Sequence, residues 1–384
     1  MTEIILVALT LLLAYSNGAN DNFKGVATLY GSGVLTYRQA RWLSTAATLG
    51  GALAAVAVAE ALLKAFSGRG LVPTSVVSNL AFAASVALAA GATVALATRI
   101  GMPISTTHAL VGGLLGAGVV AAGAELNWGA LTQQFIAPLL LGPIAAFVAA
   151  AALASMQRRF WPTPARAALS QADEACACVS VPEVVMTPLA NIGGATTSVP
   201  IAVNFTLGST GGVCAPIVNN GNAIVVTASR AINAAHVVSG MSVCFARGLN
   251  DAPKIAALLL IVKSIGGPFS ITGVALAMAL GGWLHSRRVA ETMSHKITTL
   301  EPKSAFLANV CTVGLVIAAS KYGLPLSTTH VSVGAISGLS VGGSKISSTT
   351  LKQTLWSWVV TLPCAAAIGL VSYVLLSYLF ALNS

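Results

Sequence analysis

Charged residues are scarce in this sequence, and their scarcity excludes a water-soluble protein. Only 8% of the 384 residues are Asp, Glu, Lys or Arg, whereas 56% are apolar, and the mean hydropathy is +0.84. A soluble domain carries about a quarter charged residues, so this chain has too few to cover a surface that faces water. The composition predicts a multi-pass protein of the cell membrane (plasma or inner), in contact with the lipid bilayer.

Acidic residues are especially few: ten Asp and Glu against 20 Lys and Arg give a formal net charge of +10. Such a balance can indicate a nucleic-acid partner, but the basic residues lie mainly in short connections, such as Arg158-Arg159 and Arg287-Arg288. This distribution is typical of loops at a membrane face, so no nucleic-acid partner is expected. It also predicts that the central segment, which opens with Arg158-Arg159, is cytoplasmic.

Basic residues are absent from the N-terminus, which argues against a cleavable signal peptide. The chain begins Met1-Thr2-Glu3, and no small-residue cleavage site precedes the polar cluster Asn17–Asn22. Apolar runs that reach or approach the roughly 20 residues of a spanning helix are Ala46–Leu63, Leu80–Ala97, Ala130–Met156, Ile271–Leu284, Ala305–Ala319 and Trp356–Leu379.

Cysteine predicts little here. Cys176 and Cys178 form a C-x-C pair in the central segment, and Cys214 follows further along. This spacing alone is a weak indication of a metal or redox site. We therefore predict neither a metal site nor a cofactor.

The sequence does contain a repeat. Gly18–Lys24 and Gly248–Lys254 both fit G-x-N-D-x-x-K, and the stretches that begin at Pro103 and Pro325 both fit P-x-S-T-T-H-x-x-x-G-x-x-x-G. The offsets are similar, 250 − 20 = 230 and 327 − 105 = 222. Repetition of this kind indicates a duplicated fold. We predict an all-α integral membrane fold of two inverted-topology repeats with discontinuous and re-entrant helices.

The repeat also sets the predicted domain boundaries. Residues 1–156 form the first transmembrane repeat, 157–229 a central linker segment, and 230–384 the second transmembrane repeat. The linker is less apolar and richer in Pro, Gly, Ser, Thr and Asn. Within it, Ile201–Leu207 and Ala223–Thr227 have some strand character.

The first motif places polar and charged residues inside otherwise apolar stretches. They are Asn20, Asp21 and Lys24 between Ile4 and Tyr30, and Asn250, Asp251 and Lys254 between His236 and Val262. An ionisable group at membrane depth is costly and indicates function. An ordinary loop at the water surface is the alternative, but the duplication favours two discontinuous helices that form a site at the membrane midplane.

The second motif predicts two helix N-termini, because Pro is favoured in the first turn and Ser or Thr at the N-cap. A helix N-terminus presents free N–H groups and the positive end of the dipole, so two facing N-termini would hold a tetrahedral oxyanion. Plain capping without a ligand is the alternative. The predicted substrate-binding residues are Ser105, Thr106, Thr107, Ser327, Thr328 and Thr329, with Lys24 and Lys254 neutralising the anion or pairing with Asp21 and Asp251.

Other polar residues are secondary candidates. His108 and His330 titrate near neutral pH when unperturbed, Asn17 begins the polar cluster, and Arg247 adds a positive charge. Asp21 and Asp251 are candidates to accept a coupling proton or to hold a cation. No catalytic residue is expected, because Ser105 and Ser327 occupy duplicated capping positions without a base–acid asymmetry.

These motifs resemble the inorganic phosphate transporter family, the sodium- or proton-coupled phosphate permeases with two inverted repeats. The family hallmark G-A-N-D-V-A-N-A is similar to Gly18–Asp21 and Gly248–Asp251, and the S-T-T-H stretches resemble the second hallmark. The resemblance covers both repeats but not the central segment. It implies that the ion-coupling residues are Asn20, Asp21, Asn250 and Asp251, and that Ser105–Thr107 and Ser327–Thr329 hold the anion.

The sequence departs from the family pattern at three positions. Lys24 and Lys254 stand where the hallmark has a second Asn, and Arg247 where His is common. An Asn carbonyl can help to ligate sodium, whereas a lysine ammonium resembles a cation that is permanently in place. From the coupling ions that the resemblance allows, H⁺ or Na⁺, we therefore expect proton coupling and sodium independence.

The expected function is secondary active transport of inorganic phosphate by alternating access. A permease for sulfate or a related oxyanion is the alternative, because fixed cations suit a dianion that is not protonated near neutral pH. An anion channel and a membrane enzyme are less favoured. A homodimer is compatible with the resemblance, and the sequence leaves the oligomeric state open.

Overall fold

The computed structural model describes residues 1–58, 60–160, 175–180, 204–209, 223–262, 264, 266–294, 302–340 and 348–382. The chain forms two compact units, Met1–Gln157 with His236–Ser384, and Arg158–Ala235. The first unit is helical and contains both copies of both motifs, and the second contains a small sheet. The domain boundaries at residues 156 and 230 stay a prediction.

The helices of the first half follow the apolar runs of the sequence. They are α1 (Thr2–Asp21), α2 (Ala27–Gly31), α3 (Tyr37–Val58), α4 (Glu60–Phe66), α5 (Thr74–Val77), α6 (Leu80–Arg99), α7 (Thr106–Ala122), α8 (Trp128–Ala130) and α9 (Ala137–Phe160). A 3-10 turn at Gly123–Glu125 follows α7, and a π-helical segment at Leu131–Ile136 joins α8 to α9.

The described residues of the second half also form helices, several of them long. They are α10 (Ala228–Ala256), α11 (Gly267–His285), α12 (Arg287–Thr292), α13 (Pro302–Lys321), α14 (Thr328–Ser340) and α15 (Ser348–Ala381). A 3-10 turn at Ala257–Leu259 follows α10.

Eight described helical stretches are long and apolar enough to cross a membrane. They are Thr2–Asp21, Tyr37–Val58, Leu80–Arg99, Thr106–Glu125, Trp128–Phe160, Gly267–His285, Pro302–Lys321 and Leu355–Ala381. Large apolar side chains such as Leu140, Leu141, Val371 and Leu375 point away from the protein interior. A surface of this kind is stable in hydrocarbon, where helices also satisfy their own backbone hydrogen bonds. The predicted multi-pass membrane protein is confirmed.

The first motif breaks one helix but not the other. α1 ends at Asp21 and α2 begins only at Ala27, as predicted. α10 instead continues through its motif to Ala256, so the prediction of an interruption at Asn250–Lys254 was wrong. Gly25 follows the first lysine, and a glycine inside a helix costs about 1 kcal/mol relative to alanine, which disfavours a helix after the first motif. α10, in contrast, continues through Pro253 inside the second motif, although a proline in a helix interior costs about 3 kcal/mol, so local helix propensity does not account for its continuity.

Glycines bring helices of the two halves into direct backbone contact, with α1 against α11 and α10 against α3. The glycines and the residues whose carbonyl oxygens they face are Gly18 and Met278, Gly281 and Tyr15, Gly248 and Thr48, and Gly51 and Phe245. A Cβ at any of these glycines would overlap that oxygen. The second pair of helices repeats the first at a constant offset, since 248 − 18 = 230 and 281 − 51 = 230.

The glycines of the second motif form similar close contacts between helices of the two halves. α7 packs on α15 and α14 on α9, through the contacts Gly112–Leu362, Gly116–Ala366, Gly334–Pro143 and Gly338–Phe147. The offsets are again constant, with 334 − 112 = 222 and 338 − 116 = 222. Small residues allow such close approach between membrane helices. Helices of each half therefore pack on helices of the other half at equivalent positions.

The second unit holds a three-stranded antiparallel sheet of order β2-β1-β3, formed by β1 (Ala175–Ser180), β2 (Asn204–Ser209) and β3 (Ala223–Thr227). β3 coincides with a predicted strand stretch, and β2 overlaps the other, whose residues 201–203 lie outside the described residues. Cys176 and Cys178 lie in β1, and each takes part in a disulfide. Cys214 lies outside the described residues. The side of the membrane on which this segment lies stays a prediction.

Candidate functional site

The four motif segments converge inside the helical unit, where side chains cross from one half to the other. Lys24 Nζ donates to the hydroxyl of Thr329, and Lys254 Nζ donates to Thr107 Oγ1 at 2.9 Å. The Lys24 side chain is 2% exposed and that of Lys254 is 1% exposed. The motifs of both halves therefore form one buried cluster, in which each lysine reaches the helix start of the opposite half.

The helix starts have the local structure that the second motif predicts. Ser105 Oγ accepts from the backbone N–H of His108 at 3.2 Å, and Ser327 Oγ accepts from that of His330 at 3.4 Å. Both serines therefore cap their helices, as Ser commonly does at an N-cap. The threonines that follow each serine are buried and take part in the cluster.

Three oxygen atoms of different chemistry surround the ammonium of Lys24. It forms an ion pair with Asp21 Oδ1 at 2.5 Å and donates to the backbone oxygen of Ile104 at 2.9 Å. The hydroxyl of Thr329 is the third neighbour. A lysine ammonium has three donors and no acceptor, so a carboxylate, a carbonyl and a hydroxyl match its capacity.

The ammonium of Lys254 has the equivalent three neighbours. Asp251 Oδ1 lies at 3.5 Å, the backbone oxygen of Leu326 at 2.7 Å and Thr107 Oγ1 at 2.9 Å. The partners are equivalent by sequence, because 326 − 104 = 222 and 329 − 107 = 222. The two lysines therefore occupy the same chemical environment, built from the two halves in reciprocal fashion.

The motif asparagines fix the loops that precede the helix starts. Asn20 Nδ2 donates to Thr98 Oγ1 and to the backbone oxygen of Met102, both at 3.0 Å, and its Oδ1 accepts from the Ile104 N–H at 3.1 Å. Asn250 accepts from Ser320 Oγ at 3.1 Å and donates to the Leu326 carbonyl at 3.2 Å. These bonds hold the carbonyl groups that contact the lysines.

The two halves differ where Asn17 and Arg247 stand, at equivalent positions since 247 − 17 = 230. Arg247 is fully buried. Its Nη2 donates to Thr48 Oγ1 at 2.8 Å and its Nη1 to Asn17 Oδ1 at 3.4 Å, while its Nε has no hydrogen-bond partner among the described residues. Asn17 Nδ2 contacts Thr106 Oγ1 at 2.9 Å and a carboxylate oxygen of Asp21 and of Asp251, each at 3.3 Å.

The same asymmetry reaches the first threonine of each S-T-T-H motif. Thr106 Oγ1 is engaged by Asn17 at 2.9 Å and lies 3.5 Å from Asp21 Oδ2. Thr328 is its counterpart, since 328 − 106 = 222. Within the described part of the chain, the Thr328 hydroxyl makes no hydrogen bond, although the residue is buried. The two copies of the motif therefore differ in how this hydroxyl is engaged by the described residues.

The two motif histidines lie against each other. The ring centroids of His108 and His330 are 4.3 Å apart, and Trp358 covers His330 at 3.6 Å. His108 Nδ1 lies 3.0 Å from Ser105 Oγ, whereas His330 Nε2 is buried without a hydrogen-bond partner among the described residues. The histidines thus connect the two helix starts.

The formal charges of the cluster do not cancel. Three buried cationic residues, Lys24, Lys254 and Arg247, face two buried carboxylates, Asp21 and Asp251, which gives 3 − 2 = +1 among the described residues. Burying an uncompensated charge is costly. The site is therefore electrostatically suited to an anion.

All the predicted site residues lie in or beside this cluster, but several of its members were missed from the sequence. Thr98 and Ser320 anchor the asparagines, Thr48 binds Arg247, and Trp358 stacks on His330. Thr98 and Ser320 were detectable in principle, because both are hydroxyl residues near the end of the helix before an S-T-T-H motif and differ by the same 222 positions. Thr48 and Trp358 leave no comparable pattern.

Comparison with known protein families decides the family membership. The model of the phosphate transporter family matches residues 17–369, which include both copies of both motifs. The chain belongs to the phosphate transporter family. The resemblance inferred from the motifs is therefore confirmed, and this family consists of transporters rather than enzymes.

Individual relatives agree with this membership. The inorganic phosphate transporter 2-1, chloroplastic, of Arabidopsis thaliana is 29% identical over 94% of this chain and 69% of the relative. A Mycobacterium bovis protein named as a probable low-affinity inorganic phosphate transporter is 26% identical over 98% of this chain and 78% of its own length. A solved structure, that of a protein named the sodium-dependent phosphate transporter, has a TM-score of 0.74 at 22% identity and covers 98% of this chain and 99% of its own. That likeness shows the fold.

Proposed function

We propose that this phosphate transporter family member is a secondary active permease that moves inorganic phosphate by alternating access, coupled to protons and independent of sodium. The observation that carries the proposal is the buried cluster with a formal charge of +1, in which each half supplies a lysine and a hydroxyl-rich helix N-terminus. Facing helix N-termini with hydroxyl and ammonium donors provide what a tetrahedral oxyanion binds.

We infer that the two halves are inverted repeats. Ser16 and Ala19, near the end of α1, line one cavity together with Thr98 at the end of α6. Ala257 and Leu258, which follow α10, line another cavity with Phe82 near the start of α6. Because α6 is a single helix, the equivalent helices α1 and α10 run toward opposite faces, which supports an inverted arrangement and alternating access.

The lysine environments support sodium independence. Hard cations are bound in proteins by carboxylate, carbonyl and hydroxyl oxygens, and each ammonium has one neighbour of each of these kinds. Each lysine therefore acts as a tethered cation that does not dissociate during the transport cycle. The sodium dependence for which the structural relative is named is a property of that protein.

Charge balance supports proton coupling. The site has a formal charge of +1 from the described residues, so a dianion bound together with one proton leaves the site neutral. Asp21 and Asp251 are the proposed proton acceptors, because both are buried and their carboxylates lie beside Asn17. The same arithmetic holds for sulfate with a proton, so a sulfate permease is the second candidate.

Uptake by the purified protein in proteoliposomes tests the proposal. We expect accumulation of radiolabelled phosphate against its gradient when a proton gradient is imposed, with no change when sodium replaces potassium. Facilitated flux that never exceeds equilibrium would instead indicate a channel. Accumulation of sulfate that phosphate does not inhibit would reassign the substrate.

Lys24→Asn and Lys254→Asn test the role of the tethered cations. Removing one partner of a buried ion pair costs about 3–5 kcal/mol, so we expect each variant to lose at least about 90% of sodium-free uptake and to recover part of it when sodium is added. Lys64→Asn is the matched control, because Lys64 pairs with Glu60 at 2.7 Å but its side chain is 62% exposed. Sodium-independent uptake by both site variants would contradict the assignment.

A further inference from the structure

A cavity beside the site is lined by basic side chains at one end and by site-adjacent residues at the other. It has a volume of about 870 Å³ and lies between α1, α6, α11 and α12. Ser16, Ala19 and Thr98 form part of its wall. Thr98 Oγ1 accepts the hydrogen bond from Asn20 at 3.0 Å, so the cavity reaches the residues that hold the buried site.

The exposed part of the cavity wall is positively charged. Arg99, Arg287 and Arg288 contribute three positive charges and Glu291 one negative charge, a sum of +2 with His285 neutral. Arg287 is neutralised by Glu291 at 2.9 Å. Arg288 donates to the backbone oxygen of Arg99 at 2.7 Å. Neither of these two guanidinium groups forms an ion pair with another described residue.

We propose that this cavity is the entrance by which the oxyanion reaches the buried site from one membrane face, and that its arginines, Arg99 above all, attract the anion. The inference rests on the proposed function and names the path that this function needs. A cleft lined by charge of one sign raises the local concentration of the opposite charge and speeds association. The residues of its wall lead from Arg99 through Thr98 to Asn20, that is, from the exposed mouth to the site.

Two other roles would produce the same pattern of arginines. Arginines at the end of α6 also complement the negative end of a helix dipole, and arginines at a membrane surface also bind the phosphate of anionic lipid headgroups. Neither alternative predicts that a dissolved anion enters the cavity. The experiment must therefore measure access to the cavity wall directly and vary the lipid.

Thiol labelling of Ala95→Cys tests the entrance. Ala95 lines the cavity, whereas Ser32, exposed and outside the cavity wall, provides the matched control Ser32→Cys. With the labelling of the parent subtracted, we expect the ratio of anionic to cationic methanethiosulfonate labelling rates to be about tenfold higher at residue 95 than at residue 32. Raising the ionic strength should reduce this difference, and inorganic phosphate should slow the labelling of residue 95 alone.

The role of Arg99 is tested in the same assay. Arg99→Glu in the Ala95→Cys background should lower the ratio several-fold, and Arg99→Gln alone should raise the KM for phosphate uptake about threefold with the maximal rate within about twofold. Arg38→Gln, a change at an exposed arginine outside the cavity wall, should change neither the labelling ratio at residue 95 nor the KM for phosphate uptake. Equal ratios at residues 95 and 32, or a ratio that Arg99→Glu leaves unchanged, would overturn the proposal and leave the arginines as helix-stabilising residues.

Labelling in vesicles of different lipid composition distinguishes binding of a dissolved anion from binding of lipid headgroups. Labelling is repeated in vesicles of phosphatidylcholine alone and with added phosphatidylglycerol. If phosphatidylglycerol protects residue 95 and inorganic phosphate does not, the cavity binds lipid headgroups and the entrance proposal is wrong. If the charge preference at residue 95 holds while sulfate protects it and phosphate is not transported, the entrance stands and the proposed substrate fails.

Discussion

The two halves of the helical unit build the same lysine environment from equivalent residues but differ in how they fill the space between the motifs. Lys24 and Lys254 each have a carboxylate, a carbonyl and a threonine hydroxyl as neighbours. At the next pair of equivalent positions, however, the first half has Asn17 and the second has Arg247, and these two side chains contact each other at 3.4 Å. The two halves therefore have the same residues around their lysines, but they differ at the pair of positions, Asn17 and Arg247, that gives the cluster its net charge.

The two copies of the duplicated motif cluster are therefore not chemically identical. A fully symmetric pair of asparagines at these positions would leave the described cluster with two lysines and two carboxylates, and so without net charge. Arg247 alone supplies the excess positive charge. The charge asymmetry therefore lies at one pair of equivalent positions, while both halves share the lysines and helix starts of the cluster and a symmetric scaffold of packing glycines.

The largest effect is expected from changes that break the symmetric scaffold. Gly18→Ala and Gly248→Ala should each prevent recovery of folded protein to the same extent, because a Cβ would overlap a backbone carbonyl of the facing helix, and overpacking costs about 1–3 kcal/mol or more. Size-exclusion profiles in detergent measure the recovery of folded protein, and thermal unfolding measures its stability.

Gly273→Ala and Gly314→Ala are the matched controls, because a Cβ at Gly273 meets nothing closer than 3.9 Å and one at Gly314 meets nothing within 4 Å. These controls should unfold at or above the parent temperature, because alanine is favoured over glycine inside a helix where its Cβ has room. Loss of folded protein in only one of the two scaffold variants would show that the halves do not carry equivalent packing.

A smaller effect is expected from removing the charge asymmetry. Arg247→Asn reproduces the residue of the first half and lowers the formal charge of the described cluster from +1 to 0. A hydrogen bond or charge contact to an ionic group is worth about 1.5–3 kcal/mol, so the KM for phosphate should rise at least about tenfold. Arg247→Lys should restore part of the affinity, and uptake kinetics provide the measurement. An unchanged KM in Arg247→Asn would mean that the anion does not use this charge.

The smallest effect is expected at the first threonine of each S-T-T-H motif. Thr106→Val removes the 2.9 Å contact with Asn17 and should lower stability by about 1 kcal/mol, visible as a lower unfolding temperature. Thr328→Val should leave stability unchanged, because its hydroxyl makes no hydrogen bond among the described residues, and should raise only the KM for the anion. Equal destabilisation by both substitutions would mean that the two threonines are equivalent after all.

Much of this architecture follows from the sequence alone. The composition predicts the membrane environment, and the motif repeat predicts two helix starts that Ser105 and Ser327 do cap. The pairing of Lys254 with Asp251 also follows from their spacing, because residues three apart on a helix are neighbours. Lys24 pairs with Asp21 across the turn that follows α1. These features depend on local sequence, and the repeat makes them easier to detect because each motif occurs twice.

Other features depend on contacts between distant helices and leave no local pattern. Lys24 donates to Thr329 and Lys254 donates to Thr107, so each lysine contacts the opposite half. Thr48 accepts a hydrogen bond from Arg247. These contacts form only when the two halves pack together. The continuity of α10 through Asn250–Lys254 was missed for another reason, because Pro253 disfavours a helix locally, yet α10 continues through it. The cavity near Arg99 also combines four helices that no sequence motif connects.

The glycine contacts between the halves have a consequence for how the chain is made. Gly18 faces the backbone of Met278, and 278 − 18 = 260 residues separate them, so α1 enters the bilayer long before the ribosome has synthesised the helix that covers it. The nascent first half must therefore remain in the membrane with its glycine faces uncovered. For the same reason, each half-chain should be degraded when it is expressed alone, and both should persist when they are expressed together. This result is expected if the gene arose by fusion of two copies of an ancestor that assembled in opposite orientations.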